Sequence, residues 1–498
     1  MPQLIQINRA DNVAITLQAL RKGEQASLGE RVFTAQGDIP TDHKLALSPI
    51  ACGEKIIKYG MPIGIATADI RPGDHVHSHN MRSGLSGLLG YTYQPCASAP
   101  AVATEGLGCT FWGYRRKNGR VGTRNQVWII PTVSCVNDLV DRLAREASQR
   151  FAGLCDGILA LPHNGGCSQL GDDFATTQHL LRGLVMHPNA GGVLLVSLGC
   201  ENNDFDHFLP CLDQADSSRL RTMVAQKVEG NELEYGLKLI QELLDEMRDD
   251  RRVEVDASHL VIGMKCGGSD SLSGLTANPL CGDISNVVTA MGGSSILTEV
   301  PEMFGAETLL MSRADSRQSF DAIVQLINGF KEYYISHHQP VCENPSPGNK
   351  AGGITTLEEK SLGCIQKGGH ALITGTLTYG EPCLRPGLNL LTGPGNDSVS
   401  VTNLLCSGAQ IILFTTGRGN PLGTFVPTLK ISSNSDLMKR KPEWIDFDAG
   451  EVLSTNDRCA VAAKLWQKVL DVASGRQQAH NETFGYRQIM LFKDGVML

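Results

Sequence analysis

The sequence predicts a multidomain α/β protein, in which a small N-terminal β domain precedes two α/β domains with largely parallel sheets. Its 498 residues are enough for about three domains at roughly 150 residues each. In the second part of the chain, apolar runs such as 127–133 and 193–198 alternate with segments of helical period, among them Asn137–Arg150 and Glu232–Met247. Continuous apolar runs of this length are typical of strands that crossover helices cover on both faces.

The N-terminal part of the chain predicts a separate β domain. Residues 46–64 alternate short β-rich stretches with turn signals. Residues 94–106 are mostly small, include two prolines and lack periodicity, which is typical of a linker. A charged stretch at 248–256 predicts a second boundary. The predicted division is a β domain at 1–93, a linker at 94–106, a middle α/β domain at 107–250 and a C-terminal α/β domain at 256–498.

Charge and composition exclude several classes of partner. The chain has 44 Lys and Arg residues against 52 Asp and Glu, a formal net charge of −8, so it offers no basic surface for a phosphate backbone. No apolar run approaches the ~18 residues that span a bilayer, and the N-terminus lacks the pattern of a signal peptide. We expect a cytoplasmic protein that binds neither nucleic acid nor a membrane and keeps its 15 cysteines reduced.

Four apolar runs end in a cysteine with small polar neighbours, at Cys135, Cys167, Cys200 and Cys266. In open α/β sheets, the loops at the carboxyl ends of the strands line the ligand crevice. A site assembled from several strand ends would produce this recurrence. The alternative is that cysteine and glycine fit the crowded turns between strand and helix, and the sequence leaves both interpretations open.

A histidine-rich string lies in the predicted β domain. His75, His77 and His79 alternate with other residues, so in a strand all three imidazoles would point to one face. Two or three imidazoles on one face can chelate a divalent cation. His43 could join them from a neighbouring strand. A structural or pH-sensitive histidine cluster is the alternative interpretation.

The C-terminal half contains polar, glycine-rich strings that do not resemble helices or strands, at 343–353, 392–397 and 415–423. Backbone amides in such loops, with Lys350 and Arg418 beside them, can bind a small carboxylate through charge-assisted hydrogen bonds. Ordinary turns are the alternative interpretation.

Glu299 follows the end of another apolar run. A carboxylate at the end of a buried strand could act as a base or a metal ligand, because burial raises its pKa toward neutrality. Alternatively, it caps the helix that follows.

Several short strings occur in a distinctive order along the chain. They are PTDHKLAL (40–47), KYGMPIG (58–64), HVHSHN (75–80), GYRR (113–116), VGTRN (121–125), LGCENN (198–203), CGGSD (266–270), NPSPGNK (344–350) and TGRG (416–419). Each string is modest by itself, but the ordered set spans almost the whole chain. Together they resemble the altronate and galactarate dehydratase family.

The resemblance implies both a fold and an activity. It implies that the N-terminal domain is a β-clip of the antifreeze-protein-like type, and that the chain is a hydro-lyase that needs Fe²⁺ or Mn²⁺. The histidine-rich string and EVPEMFG (299–305) resemble those members of the family that act on an aldonate rather than an aldarate. The implied substrate is a small-molecule sugar acid, D-altronate, and the implied product is 2-dehydro-3-deoxy-D-gluconate in hexuronate breakdown.

This reaction calls for a cation at the substrate. Removing the proton beside a carboxylate builds negative charge, which a bound metal neutralises as a Lewis acid. We expect the metal near His43, His75, His77 and His79. The site would then lie between the β domain and the strand-end loops of the α/β domains.

Ionisable residues inside the family-like strings are candidates for the remaining roles. Lys44 or Glu299 is expected to take the proton, and His163 to act as acid or base. Arg124 or Arg418 is expected to hold the carboxylate in a bidentate pair. Further substrate-binding candidates are Asn125, Cys167, Ser269, Asp270, Asn349 and Lys350.

Three other interpretations remain open at this point. The chain could dehydrate galactarate or another sugar acid of the same family. Cys135, Cys167, Cys200 and Cys266 could instead hold an iron–sulfur cluster, although no C-x-x-C spacing occurs. A non-catalytic sugar-acid-binding protein is the third interpretation. In each case the chain could form a homodimer.

Overall fold

The computed structural model describes residues 3–96 and 100–497. The N-terminal part consists of short strands: β1 (Leu4–Ile5), β2 (Val13–Thr16), β3 (Gln25–Leu28), β4 (Arg31–Thr34), β5 (Lys44–Ala46), β6 (Lys55–Lys58), β7 (Met61–Ala66), β8 (His75–Val76) and β9 (Met81–Arg82). They form antiparallel sheets ordered β1-β2-β5-β8, β6-β7-β9 and β3-β4. The prediction of a strand-rich N-terminal domain is confirmed.

The middle part of the chain contains seven strands, four of which form a parallel sheet. Its strands are β10 (Thr110–Arg115), β11 (Val121–Gly122), β12 (Gln126–Pro131), β13 (Ile158–Ala160), β14 (Ala190–Ser197), β15 (Leu220–Val224) and β16 (Val253–Asp256), and its helices are α1 (Asn137–Arg150), α2 (Gly171–Val185), α3 (Phe205–Phe208) and α4 (Glu232–Met247). The parallel order is β13-β12-β14-β15, whereas β10 pairs antiparallel with β11 and β16. Strands β12 and β14 are mostly apolar because α1 and α4 cover one face of the sheet and α2 packs on the other.

A larger parallel sheet fills the C-terminal part. Its strands are β17 (Val261–Cys266), β18 (Ser294–Leu297), β19 (Ile373–Leu377), β20 (Gly387–Leu391), β21 (Ile411–Thr416), β22 (Thr428–Ser432) and β23 (Phe447–Asp448). Its helices are α5 (Ala277–Ala290), α6 (Glu307–Met311), α7 (Arg317–Ser336), α8 (Pro347–Ala351), α9 (Leu357–Cys364), α10 (Asp397–Cys406), α11 (Ser435–Arg440), α12 (Glu451–Thr455), α13 (Arg458–Ala473) and α14 (His480–Thr483). The prediction of parallel sheets after the N-terminal domain is confirmed. Within the described ranges, no helix is both long and apolar enough to cross a membrane.

The strand order of the C-terminal sheet reverses at β17. The order is β19-β20-β18-β17-β21-β22-β23, so the chain adds three strands on one side of β17 and then three on the other. A ligand crevice typically opens at the carboxyl ends of the strands at such a reversal. The loops after β17 and β21 meet there, because the amides of Gly417 and Arg418 donate to the carbonyl oxygen of Gly268 at 3.0 and 2.9 Å.

The predicted linker contains neither helix nor strand at 94–96 and 100–106, and residues 97–99 lie outside the described residues. The segment before it lies against the C-terminal part of the chain. The Tyr91 hydroxyl donates to a Glu307 carboxylate oxygen at 2.6 Å, and Asn328 Nδ2 donates to the Leu89 carbonyl oxygen at 3.0 Å. The exact domain boundaries stay a prediction.

A buried group of three charges attaches the N-terminal domain to α9. Lys44 Nζ and Lys58 Nζ lie 2.8 and 2.7 Å from the two carboxylate oxygens of Glu359, and none of the three side chains is more than 2% exposed. Burial by itself raises the pKa of Glu359, but the charges of the two lysines outweigh it and lower the pKa to about 2. This Lys44–Glu359–Lys58 triad therefore holds β5 and β6 against α9.

We expect Glu359→Gln to lower the free energy of unfolding by about 3–5 kcal/mol, because two buried ammonium groups then lack a carboxylate. Urea denaturation followed by circular dichroism measures the loss. The exposed Glu443 provides the control, since Glu443→Gln is expected to change stability by less than about 0.5 kcal/mol. Equal stability of the two variants would contradict the role given to the triad.

Candidate active site

Helix α8 lies beside the crevice formed by the loops after β17 and β21. Asn349 Nδ2 donates to the Ser269 carbonyl oxygen at 2.9 Å, which ties the helix to the loop after β17. A β-carbon at Gly348 would lie 3.8 Å from Nε of Arg418, so this side chain runs along the helix. Arg418 is exposed and Lys350 is half-buried, and neither forms a salt bridge with a residue of the described ranges. Two cationic groups therefore adjoin the crevice without a carboxylate partner.

Asp270 anchors the loop after β17 through hydrogen bonds to that loop and to the residues after β22. Its Oδ1 accepts hydrogen bonds from the Ser273 amide and the Ser433 hydroxyl, both at 2.8 Å, and its Oδ2 accepts one from Asn434 Nδ2 at 3.2 Å. Burial raises the pKa of Asp270, and these hydrogen bonds oppose the rise. The carboxylate thus positions the loops, and its predicted contact with substrate stays a prediction.

Two histidines of the N-terminal domain reach the same helix. His77 Nε2 lies 3.0 Å from the carbonyl oxygen of Lys350, and His43 Nε2 lies 3.4 Å from that of Ala351. His43 directly precedes Lys44, whose ion pair with Glu359 fixes the strand in this position. The predicted histidines and the unpaired side chains of Lys350 and Arg418 therefore lie beside the same helix, α8.

The four histidines form one cluster, although strand β8 ends before His77. Asn80 Oδ1 accepts from the His77 amide and Asn80 Nδ2 donates to the His75 carbonyl oxygen, both at 2.9 Å, which folds the string into a turn. The ring centroid of His43 lies 5.0 Å from those of His75 and His77, and that of His79 lies 5.3 Å from that of His75. The idea of a continuous strand was wrong here, but the turn groups the rings all the same.

The imidazoles are suited to bind a divalent cation. Burial, with the positive charges around them, lowers the pKa of His75 to about 3 and that of His77 to about 4, so both are neutral at pH 7. The neutral ring is the form that ligates a metal. His43 Nδ1 and His75 Nε2 lie 3.0 Å apart as a hydrogen-bonded pair, so these two ring nitrogens converge on one spot. The imidazoles are thus chemically suited to a divalent cation, although in the described ranges no three of their ligand atoms lie within 4.8 Å of one another.

Three buried polar atoms near the histidines lack a hydrogen-bond partner among the described residues. They are Asp42 Oδ1, Ser269 Oγ and Ser271 Oγ. A β-carbon at Gly353 would lie 2.3 Å from the Asp42 carbonyl oxygen and 2.6 Å from Ser271 Oγ, so these two residues border one spot. Buried polar atoms usually have a hydrogen-bond partner, so a ligand or a water molecule beside Asp42 and Ser271 would satisfy them.

Asp42 was missed in the sequence, where its position next to His43 is the only signal. Burial, with the charges of Asp270 and Asp436, raises its pKa to about 7. Its φ of 68° places it in the left-handed region, which a short polar side chain tolerates better than most.

A second charged cluster lies beneath the crevice. Cys266 Sγ is 2.9 Å from Glu302 Oε2 and 3.4 Å from Cys364 Sγ, and in the described part of the chain these three residues form the one group whose ligand atoms all lie within 4.8 Å. Lys367 Nζ lies 2.8 Å from Cys266 Sγ, and Lys360 Nζ lies 2.8 Å from Glu302 Oε1. A metal ion bound at this cluster would have to displace both lysines.

Glu299 belongs to the same buried cluster. Its carboxylate pairs with Lys265 and lies 3.2 Å from Lys367 Nζ, and it accepts a hydrogen bond from the Cys266 amide at 3.0 Å. The side chain is fully buried and makes no hydrogen bond that caps the following helix. Its predicted role as a base stays a prediction.

The ammonium group of Lys44 uses all three of its hydrogen-bond donors. Its Nζ donates at 2.8 Å to the Gly353 carbonyl oxygen and to the Thr355 hydroxyl, in addition to Glu359. Burial lowers the pKa of Lys44 to about 8, although Glu359 opposes the shift. The base role predicted for Lys44 is not tested by this geometry.

Comparison with known proteins agrees with the arrangement of the three parts. Residues 2–84 match the altronate/galactarate dehydratase SAF domain, 113–248 match the second domain of D-galactarate dehydratase/altronate hydrolase, and 257–497 match the D-galactarate/altronate dehydratase C-terminal domain. The chain is 46% identical to altronate dehydratase of Escherichia coli (strain K12) over 503 residues, which cover all of both chains.

The chain belongs to the altronate/galactarate dehydratase family. It is 45% identical to altronate dehydratase of Bacillus subtilis (strain 168), again over the whole of both chains. It is 31% identical to galactarate dehydratase (L-threo-forming) of E. coli, over 98% of this chain and 96% of the relative. The resemblance stated from the sequence is confirmed.

Two of the predicted substrate-binding residues, Arg124 and Asn125, make hydrogen bonds inside the protein. Arg124 Nε and Nη2 donate to the Glu482 carboxylate, both at 2.8 Å, and Nη1 donates to the Val472 carbonyl oxygen at 2.9 Å. Asn125 Oδ1 accepts from Arg116 at 2.8 Å. Arg124 thus connects the middle part to α13 and α14, whereas the Asn125 contact lies within the middle part. Their predicted contact with substrate stays a prediction.

The cysteines of the predicted strand-end loops are divided between the two parallel sheets. Cys135, Cys167 and Cys200 follow strands of the middle sheet, with Cys167 half-buried and the other two exposed. Cys266 lies in the buried cluster at the end of β17. The structure therefore does not bring the four thiols of the iron–sulfur alternative to one sheet edge.

His163 also lies in the middle part, fully enclosed. Its Nε2 is 2.7 Å from the Pro131 carbonyl oxygen, and its Nδ1 accepts from the Gly165 amide at 3.1 Å. Burial lowers the pKa of His163 to about 4. Both ring nitrogens thus have internal partners, and its predicted acid or base role stays a prediction.

This pKa predicts acid sensitivity with a defined sign. Below pH 6.5 the unfolded chain protonates His163 while the folded chain does not, so stability present above pH 6.5 falls by about 3 kcal/mol as the pH drops toward 4. We expect His163→Gln to lack this part of the loss, as measured by urea denaturation at a series of pH values. Exposed His338 is the control, and a pH profile of His163→Gln equal to that of His338→Gln would contradict the assignment.

Proposed function

We propose that this chain is a hydro-lyase that converts D-altronate into 2-dehydro-3-deoxy-D-gluconate and water. The observation that carries the proposal is its 45–46% identity, over the whole of both chains, with altronate dehydratases. The site supports it, because the unpaired side chains of Lys350 and Arg418 beside neutral imidazoles suit a hydroxy acid.

The chemistry of the reaction assigns roles around the crevice. Removal of the proton beside the carboxylate builds charge on that carboxylate, and we propose that Arg418 and Lys350 bind it. The unpartnered hydroxyls of Ser269 and Ser271 then contact substrate oxygens. Asn349 acts by holding α8 against the loop that carries Ser269.

We propose that Fe²⁺ or Mn²⁺ is held by His43, His75 and His77, with His79 on the exposed side of the cluster. When bound, such an ion supplies a Lewis acid for the carboxylate and the 2-hydroxyl group. Asp42 presents an unpartnered carboxylate oxygen beside the same histidines.

The base stays open between Lys44 and Glu299. Lys44 Nζ has three hydrogen-bond acceptors and both oxygens of Glu299 are engaged, so either group must leave a partner before it can take the proton. We assign His163, Arg124, Asn125 and Cys167 to the middle part of the fold rather than to the substrate.

Further parts of the proposal concern fold type and setting. We propose that the strand-rich N-terminal domain is a β-clip of the antifreeze-protein-like type. We also propose that the enzyme acts in the cytoplasm on a small molecule in hexuronate breakdown, as a homodimer that binds neither nucleic acid nor membranes.

A panel of sugar acids tests the substrate. In an assay for 2-keto acid formation, we expect D-altronate to give a kcat/KM at least tenfold above that of galactarate, because the galactarate dehydratase relative is only 31% identical. Galactonate and mannonate complete the panel. Preference for galactarate would favour the alternative function, and binding of all four acids without turnover would contradict an enzyme.

Removing one imidazole tests the metal. We expect His77→Ala to lose at least half of the iron bound by anaerobically reconstituted protein and to lower kcat at least a hundredfold, because a ligand is absent. His179→Ala, on the exposed side of α2, is the control. Full iron content with full turnover in His77→Ala would remove the histidine cluster from the mechanism.

A further inference from the structure

Asp397 lies at the mouth of the crevice, at the start of α10. Its side chain is 31% exposed, and its Oδ1 lies 2.9 Å from Nζ of the fully buried Lys265. Lys265 in turn pairs with the buried Glu299. Asp397 is therefore partly exposed, whereas the Lys265–Glu299 pair to which it is joined is fully buried.

A second contact fixes the orientation of this carboxylate. Asn420, in the loop after β21, donates from Nδ2 to Asp397 Oδ2 at 2.6 Å. A β-carbon at Gly267 would lie 2.7 Å from Oδ2 and 2.8 Å from Oδ1 of Asp397. Any residue other than glycine at 267 would push the carboxylate away. Contacts from β17 with its following loop and from the loop after β21 thus hold Asp397 in one place.

Asp397 also faces the cationic side of the crevice. A β-carbon at Gly268 would lie 3.7 Å from the Arg418 β-carbon, so Asp397 and Arg418 flank the Gly267–Gly268 turn. An ionised carboxylate accepts about four hydrogen bonds, and among the described residues Asp397 receives one, from Asn420, beside its ion pair with Lys265. The 31% exposure of the side chain leaves room for a further donor. A carboxylate acceptor opposite a guanidinium donor matches a ligand that carries hydroxyl groups on one part and a carboxylate on another.

We propose that Asp397 is a specificity-determining residue that accepts hydrogen bonds from the hydroxyl groups of the sugar acid beyond carbons 2 and 3. Asn420 is the positioning residue that orients the Asp397 carboxylate for this contact. The inference rests on the proposed function, since it assigns this side of the crevice to the distal part of an aldonate. It adds to that function the residues that measure the length and stereochemistry of the substrate.

A purely structural role makes a different prediction. If Asp397 served only to offset the charge of Lys265, its loss would disturb the buried cluster and reduce kcat, and Asn420 would have no kinetic effect. Binding of distal hydroxyls instead affects KM, because those groups take no part in bond breaking.

The test measures kcat and KM for D-altronate in Asp397→Asn and Asn420→Ala. We expect KM to rise at least fivefold in both variants while kcat stays within a factor of two. Asn420→Ala leaves the Lys265–Asp397 pair in place and decides the matter by itself if Asp397→Asn does not fold, as judged by its thermal unfolding. Exposed Asp249 supplies the control, since Asp249→Asn removes the same charge and is expected to leave both constants unchanged.

An unchanged KM in Asn420→Ala, or a fall in kcat at constant KM, would overturn the inference. The unmodified enzyme separates this failure from that of the proposed function. If it dehydrates altronate while the variants keep its KM, only the role of Asp397 and Asn420 is wrong. If it does not dehydrate altronate, the proposed function is overturned and this inference with it.

Discussion

The arrangement of the site depends on the buried ion pairs of Lys44 and Lys58 with Glu359. They hold the N-terminal strands against α9, and so set where the neighbouring histidines meet α8. The charge of Lys44 also contributes, after burial, to the low pKa values of His75 and His77. This contact therefore positions the imidazoles, and their burial keeps them in the neutral form that binds a metal.

The C-terminal sheet supplies the other half of the site through its topology. The reversal of strand order at β17 brings the glycine-rich loops after β17 and β21 together, and these loops place unpaired cationic side chains beside α8. Unpartnered polar atoms occur where the two halves meet, at Asp42, Ser269 and Ser271. A sugar acid has both a carboxylate and several hydroxyl groups, and neither half by itself offers partners for all of them.

Local sequence patterns made part of the fold and part of the site predictable. Helices α1 and α4 begin and end at the predicted residues, because apolar periodicity and the surrounding turns define them locally. The histidine string and Arg418 were found because their neighbours in the chain are distinctive. Glu359, Glu302 and Asp397 were not, since each acts through partners that only tertiary packing brings close. The ion pair of Arg124 was not predictable for the same reason, because its carboxylate partner Glu482 is 358 residues away in the chain.

The central claim is that the metal binds to imidazoles between the N-terminal domain and the C-terminal crevice. Anomalous X-ray diffraction at the iron or manganese edge, from crystals grown anaerobically with the metal, tests it most directly. The account predicts an anomalous peak within bonding distance of His43 and His75. A peak bonded instead by Cys266, Glu302 and Cys364, with none at the histidines, would contradict it.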